Sequence, residues 1–108
     1  MSANKKEKIA ELELHRKKLA TLVGELLRKA DDIDQSTKYG QGRLSKDWHN
    51  LLASTCQELA SLSETVSDMA KLVQSGDLEA SQRALLRATD IASHLSERLR
   101  EIKHASGH

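Results

Sequence analysis

The chain has 108 residues, the usual size of one domain, and a formal net charge of +1 at pH 7. Charged residues make up 31% of it and aromatic residues only 2%, which argues against a strongly basic nucleic-acid binder that stacks bases on rings. There is no proline, so no position forbids a long unbroken helix.

The first segment with helical periodicity runs over about residues 5–36. Asn4 is its predicted N-cap, with Glu7 three residues later to complete a capping box. Gly24 lies inside the segment, costs about 1 kcal/mol relative to alanine and leaves open whether the helix bends there. Apolar residues recur at spacings of three and four, interrupted once by Arg16; they are Ile9, Leu12, Leu19, Val23, Leu26, Ala30 and Ile33.

The second helix is predicted over residues 46–74, after a loop that contains Gly40 and Gly42. Ser45 is its expected N-cap. Its apolar residues follow alternating gaps of four and three over about four heptads, a pattern typical of coiled-coil packing. This heptad row consists of Trp48, Leu52, Thr55, Leu59, Leu62, Val66, Met69 and Val73.

A short break, with Gly76 to end the second helix and Asp77 to cap the next, leads into a third helix over about residues 78–103. We expect residues 104–108 to fray. Three long helices joined by short turns predict an all-α fold of one domain, residues 1–108. The predicted arrangement is an antiparallel up-down-up three-helix bundle with coiled-coil-like packing. An oligomer in which the same helices pair between chains is the structural alternative.

Residues suited to chemistry are few, and we predict that the protein is not an enzyme. Cys56 is the one nucleophile candidate, and it would need His49 or His94 beside it. His104 and His108 have metal-like spacing, but two ligands fall short of a structural zinc site. We therefore expect no cofactor and no metal. Neither nucleic acid nor membrane insertion is expected, because no stretch is apolar enough to span a bilayer and the basic residues near the start alternate with acidic ones.

Several leucine and isoleucine residues lie outside the apolar rows, and they predict a protein-binding surface. A contiguous apolar patch on a small protein usually marks an interface, although a slightly wider core is an equal alternative. We predict a module such as an adaptor, a co-chaperone or a small subunit, located in the cytoplasm or nucleus. A self-assembling coiled-coil protein, including a homodimer, is the alternative. The candidate partner-binding residues are Leu72, Leu86, Ile91, Leu14 and Leu22.

Two segments resemble the GAT domains of trafficking adaptors: residues 51–56 (LLASTC) and residues 85–90 (LLRATD). That family favours Asn where this chain has Thr89, and the gap between the segments is longer here. The resemblance implies binding of ubiquitin, or of small-GTPase and adaptor partners, through helix surfaces. The BAG-type co-chaperone bundle is similar in plan, with three long charged helices and no active site.

Overall fold

A computed structural model describes residues 2–39 and 43–107, with side chains described from Asn4 onward. Within these residues the chain forms three α-helices and no strand: α1 (Ser2–Lys38), α2 (Lys46–Gln74) and α3 (Leu78–Ala105). Each helix packs against both of the others. The molecule measures 59 Å along its long axis and 17 Å across. The predicted all-α class with three packed helices is confirmed.

Helix α1 begins earlier than the sequence predicts. Asn4 lies inside the helix, so its assignment as the N-cap is wrong; no glycine or proline before it stops the helix from starting at Ser2. Gly24 does not break the helix, and a Cβ at this position would meet no atom within 4 Å. Its neighbours Val23 and Leu26 are buried, and their packing offsets the low helix propensity of glycine. The predicted loop glycines Gly40 and Gly42 lie outside the described residues.

The caps at both ends of α2 and at the start of α3 are those expected from the sequence. The Ser45 side chain accepts a hydrogen bond from the Trp48 backbone N–H at 3.4 Å. Gly76 has a φ of +84°, the left-handed conformation that ends α2 at low cost. The Asp77 carboxylate accepts from the Ala80 N–H at 3.1 Å and starts α3.

Helix α3 continues past residue 103 to Ala105, where the sequence predicted a frayed tail. Ser106, 4% exposed, closes the helix, because its backbone N–H donates to the Ile102 carbonyl at 3.0 Å and its hydroxyl to the Lys103 carbonyl at 2.6 Å. The Ser106 carbonyl in turn accepts from the Arg43 N–H at 3.3 Å. Residues 104–107 therefore have defined partners, and His108 lies outside the described residues.

The core is one stripe of aliphatic side chains from all three helices. On α2 it consists of the predicted heptad row, except that Trp48 is half-buried. Thr55 is fully buried, and its hydroxyl donates to the Leu51 carbonyl at 2.7 Å, so its polar atom is satisfied. Ser81 on α3 is also buried, although the apolar row predicted for this helix passes from Leu78 to Leu85 and skips it.

Contacts far apart in the chain show which helix ends meet. A Cβ at Gly76 would lie 3.0 Å from Cε of Lys5, so the start of α1 is beside the turn between α2 and α3. The hydrogen bond from Arg43 to Ser106 joins the start of the segment leading into α2 to the end of α3.

Candidate functional site

The five predicted partner-binding residues differ in exposure. Leu86 is 66% exposed, Leu14 55%, Ile91 42% and Leu22 39%. Leu72 is half-buried, so it offers less surface than the other four. Four of the predicted residues thus lie outside the core, and their placement around the molecule decides whether they form one surface.

A groove of about 410 Å³ runs between α1 and α3. Its floor is formed by the outer edges of three core side chains, Leu26, Ile33 and Leu99. Polar and charged side chains rim it: Lys29, Asp32 and Ser36 on α1, and Ser96, Arg100 and Lys103 on α3.

One exposed leucine of α1, Leu22, lies on the helix face that lines this groove. The buried residues of α1 repeat every seven residues, so residues a multiple of seven apart face the same side. Leu22 precedes Lys29, which lines the groove, by seven residues. Leu14 precedes Arg28 by 14 residues, and Arg28 does not line the groove although it lies within its length. Leu22 therefore continues the α1 rim of the groove toward the start of the helix, and Leu14 does not.

The most exposed leucine has the same relation to α3. Leu86 precedes Arg100 by 14 residues and lies within about 40° of it around the helix axis. The surface made by this groove together with Leu22 and Leu86 is called the α1–α3 face below. It includes two of the five predicted residues.

Ile91 and Leu72 lie elsewhere. Ile91 lines a second groove, of about 360 Å³, between α2 and α3, together with Leu62 and Thr65 of α2. At the far end of that groove Arg98 on α3 forms an ion pair with Glu58 on α2. Leu72 lines neither groove.

The charges that line the groove between α1 and α3 are predominantly positive. The lining contains three cations, Lys29, Arg100 and Lys103, and one carboxylate, Asp32. Arg100 contacts Glu97 at 3.3 Å, a pair in which both side chains are more than half exposed and which water weakens. Neither Lys29 nor Lys103 belongs to any of the ion pairs found among residues 4–39 and 43–107. The groove therefore offers cations that the protein itself does not neutralise.

Cys56 is half-buried in a third groove, between α1 and α2, together with His49, Asp31 and Asp34. Burial raises the pKa of the Cys56 thiol, and the negative charges of Asp34 and Asp31 raise it further. A raised pKa keeps the sulfur protonated at neutral pH, the opposite of what a nucleophilic cysteine needs.

Of the two histidines considered as bases for Cys56, only His49 lies in the same groove. His94 is on the exposed side of α3, with Nδ1 2.8 Å from the Asp90 carbonyl oxygen. Among the residues that the structure describes, no group of three or more His, Cys, Asp or Glu side chains is placed to hold a metal ion. The pair of His104 and His108 is not fully included, since His108 is outside the described range.

The cationic rim was not predicted from the sequence. Arg100 and Lys103 are three residues apart and so are neighbours on one side of α3. Their relation to Lys29 depends on which flank of α3 packs against α1, and a periodic apolar row alone does not determine that. The signal that was available is the i, i+3 pair of cations next to the core residue Leu99.

Comparisons with models of protein families, with curated proteins and with solved structures give no match for this chain. None of the described helices contains a segment of the length and apolar character needed to cross a membrane.

Proposed function

We propose that this protein is a non-enzymatic interaction module that binds a partner protein through the α1–α3 face. The observation that supports this is the position of Leu22 and Leu86, two exposed leucines on the two helix faces that rim one groove. Single exposed leucines are ordinary, but exposed leucines on both sides of a groove usually mark an interface.

The core does not need these leucines. Eighteen apolar residues among those described are buried without them, so the core closes without a contribution from either leucine. Covering a leucine that is about half exposed stabilises a complex by about 1 kcal/mol. Two such residues, with the adjoining groove, supply a useful part of the affinity of a modest protein interface.

The proposal includes the helix arrangement, an antiparallel up-down-up bundle with coiled-coil-like packing. Three contacts support it: Lys5 beside Gly76, Arg43 bonded to Ser106, and Arg98 paired with Glu58. The regular heptad row of α2, buried over most of its length, supports coiled-coil-like packing. In this arrangement α1 and α3 run in the same direction and present one continuous groove.

The test is affinity capture with the full chain immobilised, from a lysate of the organism of origin, read by quantitative mass spectrometry. A Leu22→Glu, Leu86→Glu double variant is expected to lose the bound partner about tenfold or more, because each change places a charge where the partner covers an apolar group. Circular dichroism and the Tm of each variant establish that it is folded.

Ile91→Glu is the matched control. It changes an aliphatic residue of similar exposure to Leu22, but in the groove between α2 and α3. We expect it to retain the partner. Loss of the partner on Ile91→Glu, with retention on the double variant, would place binding in the groove between α2 and α3 and contradict the proposal.

Self-association is the second candidate function, and the same two leucines favour it, because a second copy could cover them. Sedimentation equilibrium over a range of concentrations tests it. A species of twice the chain mass that Leu22→Glu, Leu86→Glu converts to monomer would support a homodimer. A monomer at all concentrations would exclude it.

The GAT-type resemblance adds a third candidate, binding of ubiquitin or an adaptor. Leu86, the most exposed leucine, lies in the segment 85–90 that carries the resemblance. Titration of the labelled chain with ubiquitin, followed by NMR, tests this, and unshifted signals around Leu86 would exclude it. The cytoplasmic or nuclear location expected from the sequence stays a prediction.

A further inference from the structure

We infer that the partner of the α1–α3 face is an acidic amphipathic helix, and this inference rests on the proposed function. Its carboxylates would lie against Lys29, Arg100 and Lys103, and its apolar side chains would cover Leu22 and the groove floor. The inference identifies the chemistry of the partner, which the exposed leucines alone leave open.

Charge complementarity is the first support. The groove lining carries three cations against one carboxylate, whereas the whole chain is close to neutral, with a net charge of +1. Two of the three cations, Lys29 and Lys103, have no ion-pair partner among the described residues. Glu25, one turn before Lys29 in the sequence, does not line the groove. A partner with negative charges at this spacing would gain attraction, and a basic partner would be repelled.

The dimensions of the groove favour a helix. Its α1 side extends from Leu26 to Ser36, ten residues along the helix, which corresponds to about 15 Å or about three helical turns. Two neighbouring helices form a groove into which the side chains of a third helix pack. An amphipathic helix binds such a groove with residues at spacings of three and four.

Burial explains why charge should matter strongly here. The floor residues Leu26, Ile33 and Leu99 are already between 1% and 6% exposed, so covering them adds little hydrophobic stabilisation. The gain on binding must come from the exposed leucines of the face and from the cations. Binding should therefore weaken markedly as salt is raised, because these charges are exposed.

The experiment uses the full chain and two fluorescein-labelled synthetic helical peptides. One carries leucines at positions i, i+3, i+4 and i+7 with glutamates beside them, and its twin has lysine in place of every glutamate. Fluorescence anisotropy gives the Kd of each. We expect the glutamate peptide to bind about tenfold more tightly than the lysine peptide, and the preference to diminish between about 50 and 300 mM NaCl.

Charge reversal locates the effect. Lys29→Glu, Lys103→Glu should weaken the glutamate peptide about tenfold or more and improve binding of the lysine peptide. Lys46→Glu, Lys71→Glu makes the same change in net charge on α2, away from the groove, and should leave the difference between the peptides in place. Equal effects of the two double variants would overturn the inference, since they would indicate only a response to total charge.

Other occupants give distinct results. Binding of phosphatidylglycerol vesicles without binding of either peptide would assign the cations to an anionic membrane and overturn the inference. A dimer that Lys29→Glu, Lys103→Glu dissociates, with no peptide binding, would assign the face to a second copy. A captured partner that is lost on Leu22→Glu, Leu86→Glu but retained on Lys29→Glu, Lys103→Glu would leave the proposed function standing and refute the acidic helix. Retention of every captured partner by both double variants would refute both the proposed function and the acidic helix.

Discussion

The guanidinium of Arg16 on α1 donates a hydrogen bond from Nη1 to the backbone carbonyl oxygen of Val66 on α2, 3.4 Å away. The two residues are 50 apart in the sequence, and Arg16 occupies the position that interrupts the apolar row of α1. Glu13 holds the same guanidinium, with Nε–Oε2 at 2.9 Å and Nη2–Oε1 at 2.6 Å. A polar contact thus connects two helices at a position where the apolar pattern is broken.

This contact predicts a pH dependence of stability. The hydrogen bond from Arg16 lowers the pKa of the Glu13 carboxyl below its ordinary value of 4.5. Because the folded pKa is the lower one, the contribution is complete above about pH 4.5 and is lost as the pH falls through the folded pKa. Glu13→Gln should reduce the loss of stability between about pH 6 and pH 3 by under about 1 kcal/mol, as expected for a pair in contact with water.

The measurement is urea unfolding at a series of pH values, for the wild type and Glu13→Gln. Glu11→Gln is the control, because Glu11 is exposed on the same helix and takes part in no ion pair found among the described residues. A pH profile of Glu13→Gln that coincides with that of the wild type would show that the pair does not contribute.

Ser81 predicts a stabilising substitution. It is 1% exposed, and its hydroxyl oxygen has no hydrogen-bond partner among the described residues. A buried unsatisfied hydroxyl destabilises the folded state, and alanine also has the higher helix propensity. Ser81→Ala should raise the free energy of unfolding by about 1 to 2 kcal/mol, measured by urea unfolding.

Ser93→Ala separates the two causes. Ser93 is on the same helix but exposed, so its substitution reports helix propensity alone, about 0.5 kcal/mol. A gain for Ser81→Ala no larger than the gain for Ser93→Ala would show that the buried hydroxyl carries no penalty.

The glycines at positions 24 and 76 should respond to alanine in opposite directions. Gly24 is exposed within α1, and a Cβ there meets nothing within 4 Å, so Gly24→Ala should stabilise by about 1 kcal/mol. Gly76 has a φ of +84°, and a Cβ there would lie 3.0 Å from Cε of Lys5. Gly76→Ala should destabilise by about 1 to 2 kcal/mol. Thermal unfolding of both variants checks this, and a shift of Tm in the same direction for both would contradict it.

Cys56 should react slowly with iodoacetamide in the folded protein. Burial raises the pKa of its thiol and half covers the sulfur, so the thiolate that reacts is scarce at about pH 7. Unfolding in urea should increase the rate several-fold. Asp34→Asn should increase the rate in the folded state, because it removes a negative charge that raises the pKa.

Asp32→Asn is the matched control for this experiment. Asp32 lies two residues from Asp34 but lines the groove between α1 and α3, away from Cys56. Equal rates for Asp34→Asn and Asp32→Asn would refute the local effect of Asp34.

The sequence was most informative for α2. Seven of its eight heptad residues are buried, because a helix that keeps one register presents one face to its neighbours. Trp48, in the first turn, is half-buried and packs against the core. Ser81 was missed for a different reason: it lies between Leu78 and Leu85 at the spacing of the apolar row, but a search by residue type passes over a serine.

The candidate site was predictable only in part. Leu22 and Leu86 were predicted to lie off the apolar rows, and the structure places them outside the core. Their common side could not be derived, because it depends on which flank of each helix packs against the next. The same uncertainty grouped Leu14, Leu72 and Ile91 with them, although these three lie away from the α1–α3 face.

The most direct test of the α1–α3 face is photo-crosslinking in cells of origin. A benzophenone amino acid is introduced at Leu86 in one variant and at Ile91 in another, and crosslinked products are identified by mass spectrometry. Our account predicts a discrete heterologous protein crosslinked from position 86 and little or none from position 91. Crosslinks to that protein from position 91 alone, or no crosslink to another protein from either position, would contradict it.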